Sequence, residues 1–345
     1  MRLVLFTLVC VFALASASRT AAQAYTPPWS PRSEYALLRG LPEGLYPSLM
    51  VSEPDERGFI GYHREQGTWY QAGYQRGGAR HFFGGIIAGD RARMAAGWRA
   101  IEVTFEHQIE DGGFLSLQRP GMKAPTFDDR VETAYFFLQA LNHALLVLRD
   151  SPYEPEYRER VQALRPRIIR ATEFVLSGYD GIVRKVGHTA NRLFIAAKAI
   201  GMAGVLVNDE RYLAAARRLA ALALERRDAD GVFIEREGRD SSYNAVSILM
   251  GQELALYLPA PELDEAFRRA MVWQLSRIRS DGEVLVEGNT RTGLGQETGR
   301  GGVGIKKVNT REVALALIYH AVMYQRPELV ELGTQVARHG KEAVE

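Results

Sequence analysis

Two kinds of helix-length stretch alternate along this chain. In "DERYLAAARRLAALALERR", Leu213, Leu219, Leu222 and Ala223 oppose Arg217, Arg218, Arg226 and Arg227, the spacing of a helix with one wet face. In "LFIAAKAIGMAGVLV" (193–207) and "AVSILMGQELALYL" (245–258) nearly every face is apolar, which marks buried helices. A third pattern recurs between them. "ERGFIGY" at 56, "EDGGFLSL" at 110, "YDGIVRKV" at 179, "ADGVFIER" at 229 and "SDGEVLVE" at 280 each join a glycine turn, four of them Asp-Gly, to a short alternating stretch. Recurrence at roughly 50 to 70 residues marks stacked supersecondary units. The unit predicts an exposed helix, a turn, a short strand and a buried helix. About five copies closing on themselves give an all-α fold, an α/α toroid with inner and outer helix rings and short β-strands at one rim. A linear solenoid would need repeats of nearly constant length and polar caps. Here the inserts vary, and the longest, 281–308, reads as a rim loop.

The ends of the chain divide it further. Arg2, the apolar run from Leu3 to Ala17 and the A-x-A pattern Ala22-Gln23-Ala24 predict a secretory signal peptide over 1–24, cleaved before Tyr25. The run is shorter than the about 20 residues a bilayer span needs, so no stable membrane anchor is expected. Residues 25–55, with "YTPPWSPRSEY" and "LPEGLYPS", predict an irregular proline-rich arm, and 56–345 a single toroid domain. The expected location is secreted or periplasmic, and the expected state a monomer.

Composition narrows the chemistry. The one cysteine, Cys10, falls in the signal, so the mature chain offers no disulfide, thiolate site or Cys nucleophile. Lys and Arg number 43 against 41 acids; without Arg2 and Arg19 the balance is 41 to 41, so no nucleic-acid partner is expected. The seven histidines form no H-x-x-x-H or H-E-x-x-H pair. No metal site and no cofactor is therefore assigned, although rim carboxylates need no fixed motif to hold calcium.

The leader, the D-G-x-F turns and the alternating helices resemble the α/α-toroid enzymes that degrade polysaccharides, lyases and glycoside hydrolases alike. Residues 230–247, "DGVFIEREGRDSSYNAVS", are also similar to the chondroitin-AC and hyaluronate lyase pattern, where a D-G-S-F turn precedes a catalytic tyrosine at an inner-helix start. Asp230, Gly231, Phe233 and Tyr243 match it; Arg236 stands where that pattern has a histidine. The resemblance implies a carbohydrate-active enzyme, with Tyr243 as proton-transfer residue.

In such a toroid the turns and inner-helix starts ring one cleft. The third rim segment carries His188, Asn191 and Arg192, and the fourth Glu235, Arg239, Asp240, Tyr243 and Asn244. The fifth carries Glu287, Asn289, Arg291, Gln296, Glu297, Arg300 and Lys306. The leading expectation is a lyase cleaving an anionic, uronate-containing polysaccharide by β-elimination. That reaction needs a neutraliser for the carboxylate, a base for the proton alpha to it and an acid for the leaving oxygen. Tyr243, His188 and Asn191 are the catalytic candidates. Arg192, Arg239, Asp240, Asn244, Arg291 and Glu297 are substrate-binding candidates, with Trp69 and Tyr70 as a stacking face. One alternative is a glycoside hydrolase using two carboxylates from Asp128, Asp129, Glu132, Asp240, Glu287 and Glu297. The other is a noncatalytic glycan-binding toroid. Structural roles compete throughout: Thr189, Ser241, Asn309 and Asp240 suit helix N-caps, and Tyr243 suits inner-helix packing.

Overall fold

The computed structural model describes residues 25–50, 52–60, 71–116, 123–294, 296–299 and 302–342. The predicted signal peptide, Trp69 and Tyr70 lie outside them. The chain opens with α1 (Glu34–Arg39) and α2 (Leu45–Leu49), so the proline-rich arm is not irregular throughout. It then runs α3 (Ala72–Ala88), α4 (Arg91–Glu106), α5 (Phe127–Arg149), α6 (Glu154–Ser177), α7 (Tyr179–Val186), α8 (Ala190–Val207) and α9 (Glu210–Leu224). The strands β1 (Ile234–Glu235) and β2 (Gly238–Arg239) lead to α10 (Ser241–Ala255) and α11 (Pro261–Ser276). Finally β3 (Gln296–Gly299), β4 (Gly302–Ile305), α12 (Thr310–Tyr324) and α13 (Glu328–Glu342) complete the described fold.

The inner ring is α3, α5, α8, α10 and α12, each packed on the next; α4, α6, α9, α11 and α13 lie outside. Arg80 and Glu312, 3.7 Å apart, bridge α12 back to α3. Beside them Tyr46 packs its ring on both Phe83 and Tyr319. Inner helices are apolar all round because both flanks are covered. For that reason α5 and α8 are long and apolar enough to cross a membrane, yet 83% and 78% of their apolar windows are buried in the fold.

Four of the five glycine turns fold alike. Gly58, Gly112, Gly231 and Gly282 all have φ between 87° and 91°, where a side chain is strained. In each, the glycine N–H returns to the carbonyl three residues back: Asp55, Ile109, Asp228 and Arg279. The outer helix of the unit then closes over the turn; a Cβ at Gly282 would lie 2.4 Å from the Gln335 backbone. The third unit departs from the plan. Its "YDGIVRKV" is the helix α7, because Ile182 and Val186, four residues apart, bury one face while Arg184 and Lys185 reach Asp128 and Asp129 of α5. Residues 281–308 are likewise more than a loop, since β3 and β4 pair as an antiparallel hairpin within them.

The far ends of the inner helices are plugged by the arm. Glu34 of α1 is buried and accepts hydrogen bonds from His143 (2.7 Å), Tyr257 (2.6 Å) and Tyr319 (2.5 Å). Burial opposes its ionisation, but His143 and the two hydroxyls outweigh it and hold the carboxyl below its ordinary value. Lys198 pairs with Glu253 one layer further in, where a cavity of about 20 Å³ remains among Tyr46, Arg80, His143 and Glu253.

Candidate functional site

The opposite rim, where the inner helices begin, gathers the polar side chains. Its best-ordered corner is the start of α10. Asp240 is its N-cap, with no solvent exposure, and Oδ1 accepts the N–H groups of Ser242 (3.0 Å) and Tyr243 (3.1 Å). Oδ2 accepts those of Arg291 (3.1 Å) and Thr292 (2.6 Å), tying the fifth rim loop to the helix. Asn289 adds a bond from Ser241 N–H, and Thr290 one to the Glu235 carbonyl. Asp240 and Asn244 were expected to touch substrate; both are instead buried in architecture. Asn244 accepts from Phe233 N–H and donates to Gln274, which locks the Asp-Gly turn onto α10.

This stitching places three side chains together. Arg291 Nη1 lies 3.0 Å from Glu235 Oε1, and its guanidinium sits 4.7 Å from the centre of the Tyr243 ring. Lys306 Nζ lies 5.9 Å from the same ring. Tyr243 is half-buried, whereas Glu235 is 3% exposed. Burial pushes the Glu235 carboxyl above its ordinary value, against the pull of Arg291. Between β1 and β2 the two-residue turn Arg236–Glu237 has φ of 51° and 69°, a tight hairpin of the primed type built without glycine. Arg236, at the position of the resemblance's histidine, is thus the exposed tip of that turn.

The second group lies on α5 and α8. Arg192 pairs with Glu132 and stands 5.6 Å from the Phe136 ring centre. Although burial disfavours its charge, Glu132 and Tyr135 keep it above the usual arginine value. Its positive charge also offsets, in small part, the burial of Glu235. Asn191 is buried and accepts the Arg192 N–H. His188 is exposed between α7 and α8 and makes no hydrogen bond or ion pair among the described residues.

Other sequence candidates serve the frame. Arg239 clasps Asp228 (2.6 Å) and Asp230 beside its own turn. Asp129 forms a capping box with Thr126, and its pairing with Lys185 draws it down to about 2. Thr189 and Asn309 occupy N-cap positions but their side chains make no cap bond, and Ser241 is the first residue inside α10 rather than its cap. Glu287 is exposed, while the side chain of Glu297 lies outside the described atoms.

Two residues escaped the sequence reading. Arg76 and Arg80 lie four apart on α3: Arg76 lies 5.2 Å from Phe136, on the ring that Arg192 also approaches. Arg80 faces Glu312, which Arg311 holds at 2.7 Å. An i, i+4 arginine pair within an inner helix that carries no acidic residue was the available signal.

No family model matches this chain, and no curated protein matches it. Solved structures do. The unsaturated glucuronyl hydrolase of Bacillus sp. GL1, described as responsible for glycosaminoglycan degradation, aligns over 88% of this chain and 83% of its own at 10% identity, with a TM-score of 0.51. A D-mannose isomerase aligns over 90% and 87% at 12% identity (TM-score 0.49). A sugar epimerase from a ruminal bacterium aligns over 72% and 71% at 10% (TM-score 0.44). The chain has the α/α-toroid fold.

Proposed function

We propose that the rim mouth cleaves an acidic polysaccharide by β-elimination, with Tyr243 as the proton-transfer residue. The observation that carries this is the disposition of Tyr243 against that of the carboxylates. Tyr243, half-buried at the start of α10, carries two cations beside its ring, Arg291 and Lys306. Four of the six carboxylates considered for hydrolysis are already engaged: Asp128 by Arg184, Asp129 by Lys185, Glu132 by Arg192 and Asp240 by four backbone N–H groups; Glu287 is exposed.

In the proposed step the Tyr243 phenolate takes the proton alpha to the sugar carboxylate. The electron pair forms a carbon–carbon double bond as the β carbon–oxygen bond breaks, and the new phenol returns its proton to the leaving oxygen. Guanidinium groups neutralise the carboxylate so that the alpha proton becomes acidic. Asn191 and His188 receive no proton-transfer role, since one faces the helix backbone and the other faces solvent.

One observation favours a second reading. Glu235 is a buried carboxyl with a raised pKa, the state required of the general acid in a glycoside hydrolase. A glycosaminoglycan-degrading protein on the same toroid is compatible with an acidic polymer, but fold alone does not choose the reaction.

Tyr243→Phe tests the proposal, because it removes the hydroxyl and keeps the ring. The expected loss in kcat is roughly a hundredfold or more, the scale of a lost acid–base group. Near-normal turnover at unchanged stability would make Tyr243 a packing residue and leave Glu235 to lead.

A further inference from the structure

The arginines expected from sequence to bind substrate already have carboxylate partners: Glu132 for Arg192, Asp228 and Asp230 for Arg239, and Glu235 for Arg291. Arg76 differs. Among the described residues its side chain makes one hydrogen bond, to the Gly73 carbonyl one turn back, and no ion pair. Among the described residues Arg80 pairs with Glu312 alone, at 3.7 Å, and Glu312 is held more closely by Arg311. The next carboxylate inward, Glu253, is taken by Lys198.

Three guanidinium groups thus stand around one carboxylate where α3 meets α12, a local excess of two positive charges. Burial and the charge of Arg311 pull Arg80 down to about 9, and burial pulls Arg76 to about 10; both are still protonated at neutral pH. Holding unbalanced charge in a half-buried site is costly unless an anion compensates it. The site is open to one, with 17% of the Arg80 side chain exposed. Two planar forks four residues apart on one helix face suit a carboxylate's paired oxygens.

We infer that Arg76 and Arg80, backed by Arg311, form the subsite that binds the carboxylate of an acidic sugar. This rests on the reading of the mouth as a site for uronate polymers, and it transfers the carboxylate-docking role from Arg192, Arg239 and Arg291 to α3.

The test uses the mature chain, with glucuronate as probe, glucose as its neutral counterpart and inorganic sulfate as a plain anion. Melting temperature reports binding, since a ligand that binds only the folded state raises it. Glucuronate is expected to raise it where glucose and sulfate at equal concentration do not. Arg76→Gln and Arg80→Gln should abolish the shift, and Arg91→Gln, an exposed charge on α4, should keep it. On a uronate polymer the first two variants should raise KM roughly ten- to hundredfold with kcat little changed. If either glutamine variant fails to fold, the lysine variant at that same position, Arg76→Lys or Arg80→Lys, replaces it, keeping the charge while losing the fork, with a smaller KM rise expected.

An unaltered glucuronate shift and KM in both variants would overturn the assignment while leaving lyase activity intact. No glucuronate shift in the wild type, or an equal one from sulfate, would also overturn it. An arginine-dependent shift in a protein that cleaves no uronate polymer would keep the subsite and remove the reaction.

Discussion

Four backbone N–H groups end on the carboxylate of Asp240, and none of that side chain meets solvent. Its charge is solvated wholly by the chain, as a cap for α10 and a clamp on residues 291–292. Asp240→Ala should therefore cost about 3 kcal/mol or more in urea unfolding, beyond an ordinary cap, because two further donors lose their acceptor. A loss under about 1 kcal/mol would mean that water replaces the carboxylate. Asp240, Asn244 and Arg239 were legible in the sequence as unusual polar residues near a turn. Their structural use was not, because it depends on partners 26 to 52 positions away for Asn244 and Asp240. Arg76 and Arg80 escaped for the opposite reason: their meaning lies in the carboxylates they lack, which only the assembled ring reveals.

At the scale of elements, the Asp-Gly turns were readable because glycine adopts a positive φ at little cost and so marks most such turns locally. The third unit was misleading, since Asp-Gly also suits the first turn of a helix when Ile182 and Val186 have a face to bury. The β1–β2 turn supplies a direct test. Arg236 and Glu237 adopt left-handed conformations that cost a residue with a side chain roughly 1–2 kcal/mol. Glu237→Gly should relieve that strain and stabilise the protein by about 1 kcal/mol, offset in part by the greater freedom of glycine when unfolded. Destabilisation in thermal or urea melts would show that the Glu237 side chain holds the turn.

At the scale of the molecule, the rings leave one mouth at the inner-helix N-termini, while the arm closes the other end through Glu34. Removing that carboxylate strands the groups gathered on it, so Glu34→Ala should cost roughly 3–5 kcal/mol. Its pKa is lowered in the fold, so its contribution is present above the unfolded value of 4.5 and is lost as pH falls through the lower folded value. The stability gap between wild type and Glu34→Ala should be constant near neutrality and close in acid; a gap that widened in acid would contradict the assigned ionisation. The toroid was legible because helix burial alternates with turns along the sequence, whereas the arm's role as plug rests on one buried glutamate among prolines. Export with cleavage before Tyr25 is a further proposal at this scale, and mass spectrometry of the exported protein should find Tyr25 first.

The central claim is that the mouth performs β-elimination on a uronate-containing polymer, and product absorbance tests it most directly. Incubating the mature protein with a panel of acidic polysaccharides should generate unsaturated ends that absorb in the near ultraviolet, in proportion to chain cleavage. Cleavage that releases reducing ends without that absorbance would contradict the account and assign the mouth to hydrolysis through Glu235.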